Sequence, residues 1–368
     1  MSEGTIALGD GRGTLTVTSI DVTGSAGDAA SPATRQATDA SSGDLGPDHV
    51  RSEHVGSGQG GTRRDQSDRH HGSRVRDVIS AYVALTKPRI IELLLVTTVP
   101  AMFLAAQGVP NLVLVLLTLV GGIFAAASAN VFNCVLDRDI DERMRRTRRR
   151  PLPRHAVSWR TATLFGAVLG ALSLLWFGFF VNWLSALLAL GANAFYVLIY
   201  TMILKRHTSQ NIVWGGIAGC FPPLIGWTAV TGELALAPFV LFMVVFFWTP
   251  PHTWSLAMRY REDYAAADVP MLPVIMGPVG VTKRILIYSV LTVATSLALW
   301  PIADTGLLYP IVAGACGIAL LVESVRLLGR ARAGLSDALM KPMRLFHWSN
   351  SYLALIFVAA AVDPLLPF

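Results

Sequence analysis

The chain has 368 residues, 53% of them hydrophobic and only 15% charged, with a net charge of +6. Its mean hydropathy of +0.51 is too apolar for an ordinary soluble domain, so the membrane class comes first. The three cysteines, Cys134, Cys220 and Cys316, lie far apart in or beside apolar runs, which excludes a cysteine metal cluster and reads as small buried side chains.

Residues 1–77 are rich in Gly, Ser, Thr, Asp and Arg and nearly devoid of aromatics. Such a segment cannot bury enough apolar area to offset its ordering entropy, which predicts a disordered cytoplasmic tail. His70 and His71 within it read as solvated side chains. From residue 90 onward, apolar runs of membrane-spanning length recur. They predict nine transmembrane helices near 90–107, 111–133, 162–180, 183–203, 212–230, 237–257, 282–302, 306–326 and 345–363. The short loops AQGVPN, FVNW, VTGELALAP and PIADTG hold no Lys or Arg, whereas residues 137–160 alone carry nine arginines. The basic loops therefore face the cytoplasm, with the N-terminus inside and the C-terminus outside. One carboxylate-bearing loop follows span 2 and another follows span 6. Two four-helix units would set these loops side by side above a central cavity.

The first loop, NCVLDRDIDERMRRTRRRPLP (133–153), holds Asn133, Asp137 and Asp141 at intervals of four. On a continuing helix they share one face as a polar ladder about 12 Å long. Hard oxygen ligands near solvent suit Mg²⁺, which takes one or two carboxylates and completes its shell with water and phosphate. The arginines downstream suit phosphate oxygens. Together they make a diphosphate site at the membrane surface. Arginines merely neutralising their own acids is the bland alternative.

The second loop, WTPPHTWSLAMRYREDYAAADVPMLPV (248–274), opens inside span 6. Pro250 and Pro251 are expected to break the helix, which is tolerated only against protein or a cavity. His252 follows as an ionisable residue within a span. Trp248, Trp254 and Tyr260 are near, either as site walls or as interfacial aromatics. Glu262 and Asp263 supply the second carboxylates, and Lys205, Arg206 and Asn211 reach the same face from between the loops.

These stretches, together with LTKPRI (85–90), YTMILKRHTSQNIVWGGIAG (200–219), PPLIGW (222–227) and LFHWSNSYLALIF (345–357), resemble the UbiA superfamily of intramembrane prenyltransferases, and within it the haem-farnesylating branch. The resemblance covers about residues 80–363. WTPPH, DY and PMLPV are the portions most specific to the haem branch. It implies an all-α polytopic bundle of nine helices around a central cavity, over residues 78–368. It implies transfer of a farnesyl group from farnesyl diphosphate to the 2-vinyl group of haem B, with addition of water and release of diphosphate. By resemblance, Asn133, Asp137 and Asp141 hold Mg²⁺ and diphosphate, with Asp137 and Asp141 as metal ligands. Arg146, Arg150, Lys205 and Arg206 clamp phosphate, and Asp263 serves in the second loop. His252 lies by the haem, with His347 as the competing iron ligand. The implied surroundings are a bacterial plasma membrane, with haem A synthase or cytochrome oxidase assembly factors as candidate partners and no nucleic acid. Ala267 stands where much of the superfamily has a second aspartate, and Asp268 is a poor substitute, which argues against a second tightly held Mg²⁺. Thr253 replaces the aromatic that usually follows the histidine. Rival readings are a quinone-pathway aromatic prenyltransferase and, from another class, a transporter.

Overall fold

The structure is a computed structural model that describes residues 76–335 and 337–366. The expected disordered tail lies outside these residues except for Arg76 and Asp77, which open a helix over 76–86. That helix is anchored by Ala81 and Leu85, which pack on Val131, Cys134 and Val135.

Nine long helices follow: α1 (Pro88–Ala106), α2 (Leu112–Leu136), α3 (Trp159–Phe180), α4 (Trp183–His207), α5 (Asn211–Thr231), α6 (Leu236–Arg259), α7 (Pro278–Ile302), α8 (Leu308–Arg332) and α9 (Pro342–Val362). Among the described residues eight helices are long and apolar enough to cross a bilayer. The ninth expected span corresponds to α1, of whose apolar stretch Val96–Ala106 lies among the residues described in full. Local chemistry explains several ends. Asn111 accepts from the amides of Val113 and Leu114, and Asn182 accepts from that of Ser185. These are N-caps that satisfy orphan donors. Lys87 and Lys341 both adopt left-handed backbone immediately before a proline that starts a helix.

Consecutive helices pack side by side, and α9 returns against α1. The two most extensive contacts across the ring, α1 with α5 and α6 with α9, divide it into a five-helix and a four-helix group. Small and hydroxylated residues make the close approaches, as membrane packing requires. Ser128 donates to the Gly166 carbonyl and Ser173 to that of Gly121, joining α2 to α3. In the second group the Tyr309 hydroxyl donates to the Ser296 carbonyl, and the Tyr352 hydroxyl donates to Ser296 Oγ. The expected break at Pro250 and Pro251 does not occur: α6 runs unbroken through both. Both prolines are buried, and Trp248 Nε1 donates to the Ser349 carbonyl of α9. Packing against a neighbour thus holds the helix where two backbone donors are missing.

The α1–α5 contact is tightest at Gly226, where a Cβ would lie 2.4 Å from the Thr98 carbonyl oxygen. Gly226→Ala is therefore expected to lower the thermal midpoint of the purified protein, at a cost of about 1–3 kcal/mol as overpacking. Gly122→Ala, where a Cβ meets nothing within 4 Å, should leave it unchanged or raise it.

Candidate active site

Helix α2 ends at Leu136, and a short helix (Arg138–Arg143) continues it after a kink at Asp137. The hydrogen-bond ladder survives the kink. The Asp137 amide donates to the Asn133 carbonyl and the Asp141 amide to the Asp137 carbonyl. The spacing of four therefore brings Asn133, Asp137 and Asp141 onto one inward face, all buried. Asn133 Nδ2 donates to Asp137 Oδ2 at 2.7 Å, and Lys205 of α4 forms an ion pair with the same oxygen. Asp137 Oδ1 is buried without a hydrogen-bond partner, with an Arg206 nitrogen 4.0 Å away. Arg150 Nη1 reaches both oxygens of Asp141 at 2.9 and 2.7 Å. The loop returns Arg150 to that point because Thr147 Oγ1 donates to the Asp141 carbonyl.

Arg206 sits at the edge, donating to both oxygens of Asp139 and to the Leu136 carbonyl. This bidentate pairing holds the Asp139 carboxyl down at about 2. Arg146 does not join the ladder: its guanidinium lies over the Tyr260 ring, 5.4 Å from the centroid. The two acidic loops do meet. Arg145 bridges to Glu262 at 3.0 Å and to buried Asp263 at 3.2 Å, and Arg143 pairs with exposed Asp268 at 3.0 Å. Ala267 is buried, and Asp268 turns outward on left-handed backbone.

The two histidines belong to the other helix group. His252 is stacked between Trp248 and Phe346, each with its ring centroid 4.3 Å away, and its Nδ1 lies 3.0 Å from Ser349 Oγ. His347 is exposed on α9, edge-on to Phe346. Asn211 is buried on α5, and its Nδ2 donates to the Lys205 carbonyl.

Three features escape the sequence reading. Lys87 donates from Nζ to Asn133 Oδ1 at 2.6 Å. Burial pushes its pKa below the ordinary lysine value, and Arg150 and Lys205 add to the effect. Its only signal was a lone lysine in LTKPRI, before the first span. Residues Phe195–Leu204 of α4 form a π-helix, a form that clusters at functional sites. It presents Tyr196, Tyr200 and Thr201, with Thr201 Oγ1 accepting from Asn133 Nδ2 at 3.3 Å. The Tyr200 ring lies over Gly215, where a Cβ would sit 2.1 Å from it. Third, Arg145 supplies the ion pairs to Glu262 and Asp263, while its neighbour Arg146 meets the second loop only through the Tyr260 ring.

Beneath this charge cluster an apolar cavity of about 180 Å³ runs among α1, α2, α4 and α5, with Asn130 and Tyr196 nearest the ladder and Thr98 and Thr118 at the far end. A buried oxygen-ligand face with cationic neighbours, set above an apolar tunnel, is suited to an amphipathic diphosphate.

The model for the UbiA prenyltransferase family matches residues 94–350. The chain belongs to the UbiA prenyltransferase family. The protoheme IX farnesyltransferase of Cutibacterium acnes is 65% identical over 291 residues, covering 79% of this chain and 86% of that protein. The protein of that name from Nocardioides sp. is 62% identical, covering 84% and 98%. That from Streptomyces coelicolor is 57% identical, covering 83% and 96%. Among solved UbiA-type structures, a digeranylgeranylglyceryl phosphate synthase superposes with a TM-score of 0.65 at 18% identity, covering 78% of this chain and 98% of that one. A UbiA homolog from Archaeoglobus fulgidus bound to GPP and Mg²⁺ gives 0.54 at 20%, covering 77% and 100%. At these identities the structures establish the fold alone. The chain is an integral, multi-pass membrane protein of this family.

Lys87 generates the first test of the site. Its loss removes one charge-assisted hydrogen bond, about 1.5–3 kcal/mol, so Lys87→Gln should weaken prenyl diphosphate binding by roughly tenfold or more in an equilibrium titration. Because the folded pKa is depressed, the ammonium is lost at lower pH than for a free lysine. Affinity should fall correspondingly early on the alkaline side, and Lys87→Arg, which stays charged, should extend it.

Proposed function

We propose that the chain transfers the farnesyl group of farnesyl diphosphate to the 2-vinyl group of haem B, with addition of water, giving haem O and diphosphate. The observation that carries the prenyl-transfer part is the apolar cavity directly beneath the buried Asn133–Asp137–Asp141 cluster. The haem acceptor rests on relatives 57–65% identical over most of the chain. The positive-inside rule, applied to the basic loops, supports a site at the cytoplasmic face with the N-terminus inside and the C-terminus outside.

The residues fit a divalent cation. Asp137 keeps one buried oxygen without a hydrogen-bond partner, and Asp141 and Asn133 add oxygens on the same face. Two buried carboxylates suit Mg²⁺, whose shell is completed by water and phosphate. Asp137 and Asp141 would hold it, and when bound it neutralises charge on the departing diphosphate.

Lys87, Arg150, Lys205 and Arg206 hold the diphosphate and stabilise its charge as the C1–O bond breaks and the electron pair leaves with the oxygen. The cavity wall excludes water from the allylic cation. The rings of Tyr196 and Tyr200, 5.3 Å apart, offer it π faces, each contributing roughly 0.5–2 kcal/mol. The vinyl carbon attacks C1. Water captures the cation left on haem and loses its proton, so the sum is one farnesyl diphosphate, one haem B and one water to haem O and diphosphate. Arg146 over Tyr260, and Arg145 on Asp263, close the second loop over the donor. His252, with Nδ1 on Ser349, has Nε2 left for the haem iron. His347 is the second candidate for that iron, and haem A synthase or oxidase assembly factors are candidate recipients of the product.

The test is membranes containing the protein, incubated with farnesyl diphosphate, haem B and Mg²⁺, with pigments separated and weighed. A haem gaining one farnesyl group and one hydroxyl group is expected; farnesylation of a quinone-type aromatic acid instead overturns the acceptor. His252→Ala is expected to remove the Soret shift on haem addition and haem O formation while leaving farnesyl diphosphate binding near normal. Unchanged haem affinity would transfer the role to His347.

A further inference from the structure

The cavity has a defined lower end. Its floor is formed by Thr98 of α1, Thr118 and Leu119 of α2, and Ile225 of α5. One helical turn beyond, Met102, Val115 and Ala229 close into a buried cluster against which Leu119 packs. The floor is tightly packed here, because Gly226 of α5 lies directly against the α1 backbone at Thr98. From Asn130 at the top to Thr118 at the floor, α2 rises about 18 Å. Part-way down is Gly122, which lines the cavity and whose missing Cβ would meet nothing within 4 Å.

An isoprenoid tail carries no polar group by which a site could identify it, so apolar contact and available depth are what remain to discriminate one chain length from another. Depth here depends on two things: the absence of a side chain at 122 and the packed stop behind Leu119. We infer that Gly122 and Leu119 set the prenyl chain length. The glycine leaves room for the last isoprene unit of a fifteen-carbon tail, and Leu119 with the cluster behind it denies room to a fourth unit. This rests on the reading above that the cavity holds the donor's tail.

The two positions predict opposite changes. Gly122→Leu fills the cavity from the side and should favour the ten-carbon donor. Leu119→Ala lowers the floor and should favour the twenty-carbon donor. Neither residue touches the charged cluster, so the diphosphate end is common to all donors.

The experiment uses the full-length protein in lipid nanodiscs with Mg²⁺. Geranyl, farnesyl and geranylgeranyl diphosphates each compete against labelled farnesyl diphosphate, and the same three are then offered together with haem B. Gly122→Leu is expected to shift the geranyl-to-farnesyl affinity ratio about tenfold or more toward geranyl, and Leu119→Ala the geranylgeranyl-to-farnesyl ratio by a similar factor, the scale on which apolar pockets discriminate by size. If both variants bind labelled farnesyl diphosphate and keep the wild-type ratios within about twofold, the inference is overturned. A variant that no longer binds the label is replaced by the smaller step, Gly122→Ala or Leu119→Val, and read in the same way. The binding ratios need no acceptor, so wild-type protein that binds prenyl diphosphates but prenylates no haem would contradict the acceptor reading and leave this test intact. Wild-type protein that binds none of the three would contradict the donor reading itself.

Discussion

The structure is organised around a buried carboxylate. Asp137 has no exposed surface, at the end of a helix that carries no charge over its whole length. An isolated carboxylate there would be costly and would take up a proton. Lys205 and Asn133 keep one oxygen engaged, while the other is left without a hydrogen-bond partner. Such an arrangement is stable only because α2 and α4 are held in register, and a buried oxygen left in this way is the kind that a metal ion completes.

The surrounding fold provides that register by small means. The π-helical stretch of α4 turns Thr201 and Lys205 toward α2 and sets the Tyr196 and Tyr200 rings side by side, tilted by 35°. Gly215 lets the Tyr200 ring lie directly on α5, and Gly226 lets α1 and α5 meet backbone to backbone. The second helix group contributes through its loop: Asp263 reaches the first loop through Arg145. Its own interior is largely apolar and tied by hydroxyls, with buried Glu323 paired to Arg330 and Arg344 and His252 packed between two aromatic rings. The Asn133–Asp137–Asp141 ladder thus belongs to the first group and the stacked His252 to the second, with the loops as the seam between them.

Much of this was legible in the sequence, for identifiable reasons. The spans follow from hydropathy, and the Asn133–Asp137–Asp141 face follows from a period that survives the kink at Asp137. Lys205 was legible because it ends an apolar run beside the ladder. Lys87 was not, since a single lysine before a span has the same pattern as an interfacial anchor. Choosing between Arg145 and Arg146 needed the loop's turns, which no period encodes. Proline's effect on α6 was misjudged because intrinsic propensity was weighed without the packing of α9. A π-helix leaves no distinctive residue pattern, so its placement of Thr201 and the two tyrosines emerges only in the folded structure.

The central claim is that the Asp137 cluster binds diphosphate through a divalent cation. Calorimetric titration of the purified protein with farnesyl diphosphate, in Mg²⁺ and again after chelation, tests it most directly. The account predicts that chelation weakens binding by about tenfold or more, and that Asp137→Asn in Mg²⁺ binds no better than chelated wild type. Equal affinity with and without the cation, or an Asp137→Asn variant that still responds fully to Mg²⁺, would contradict it.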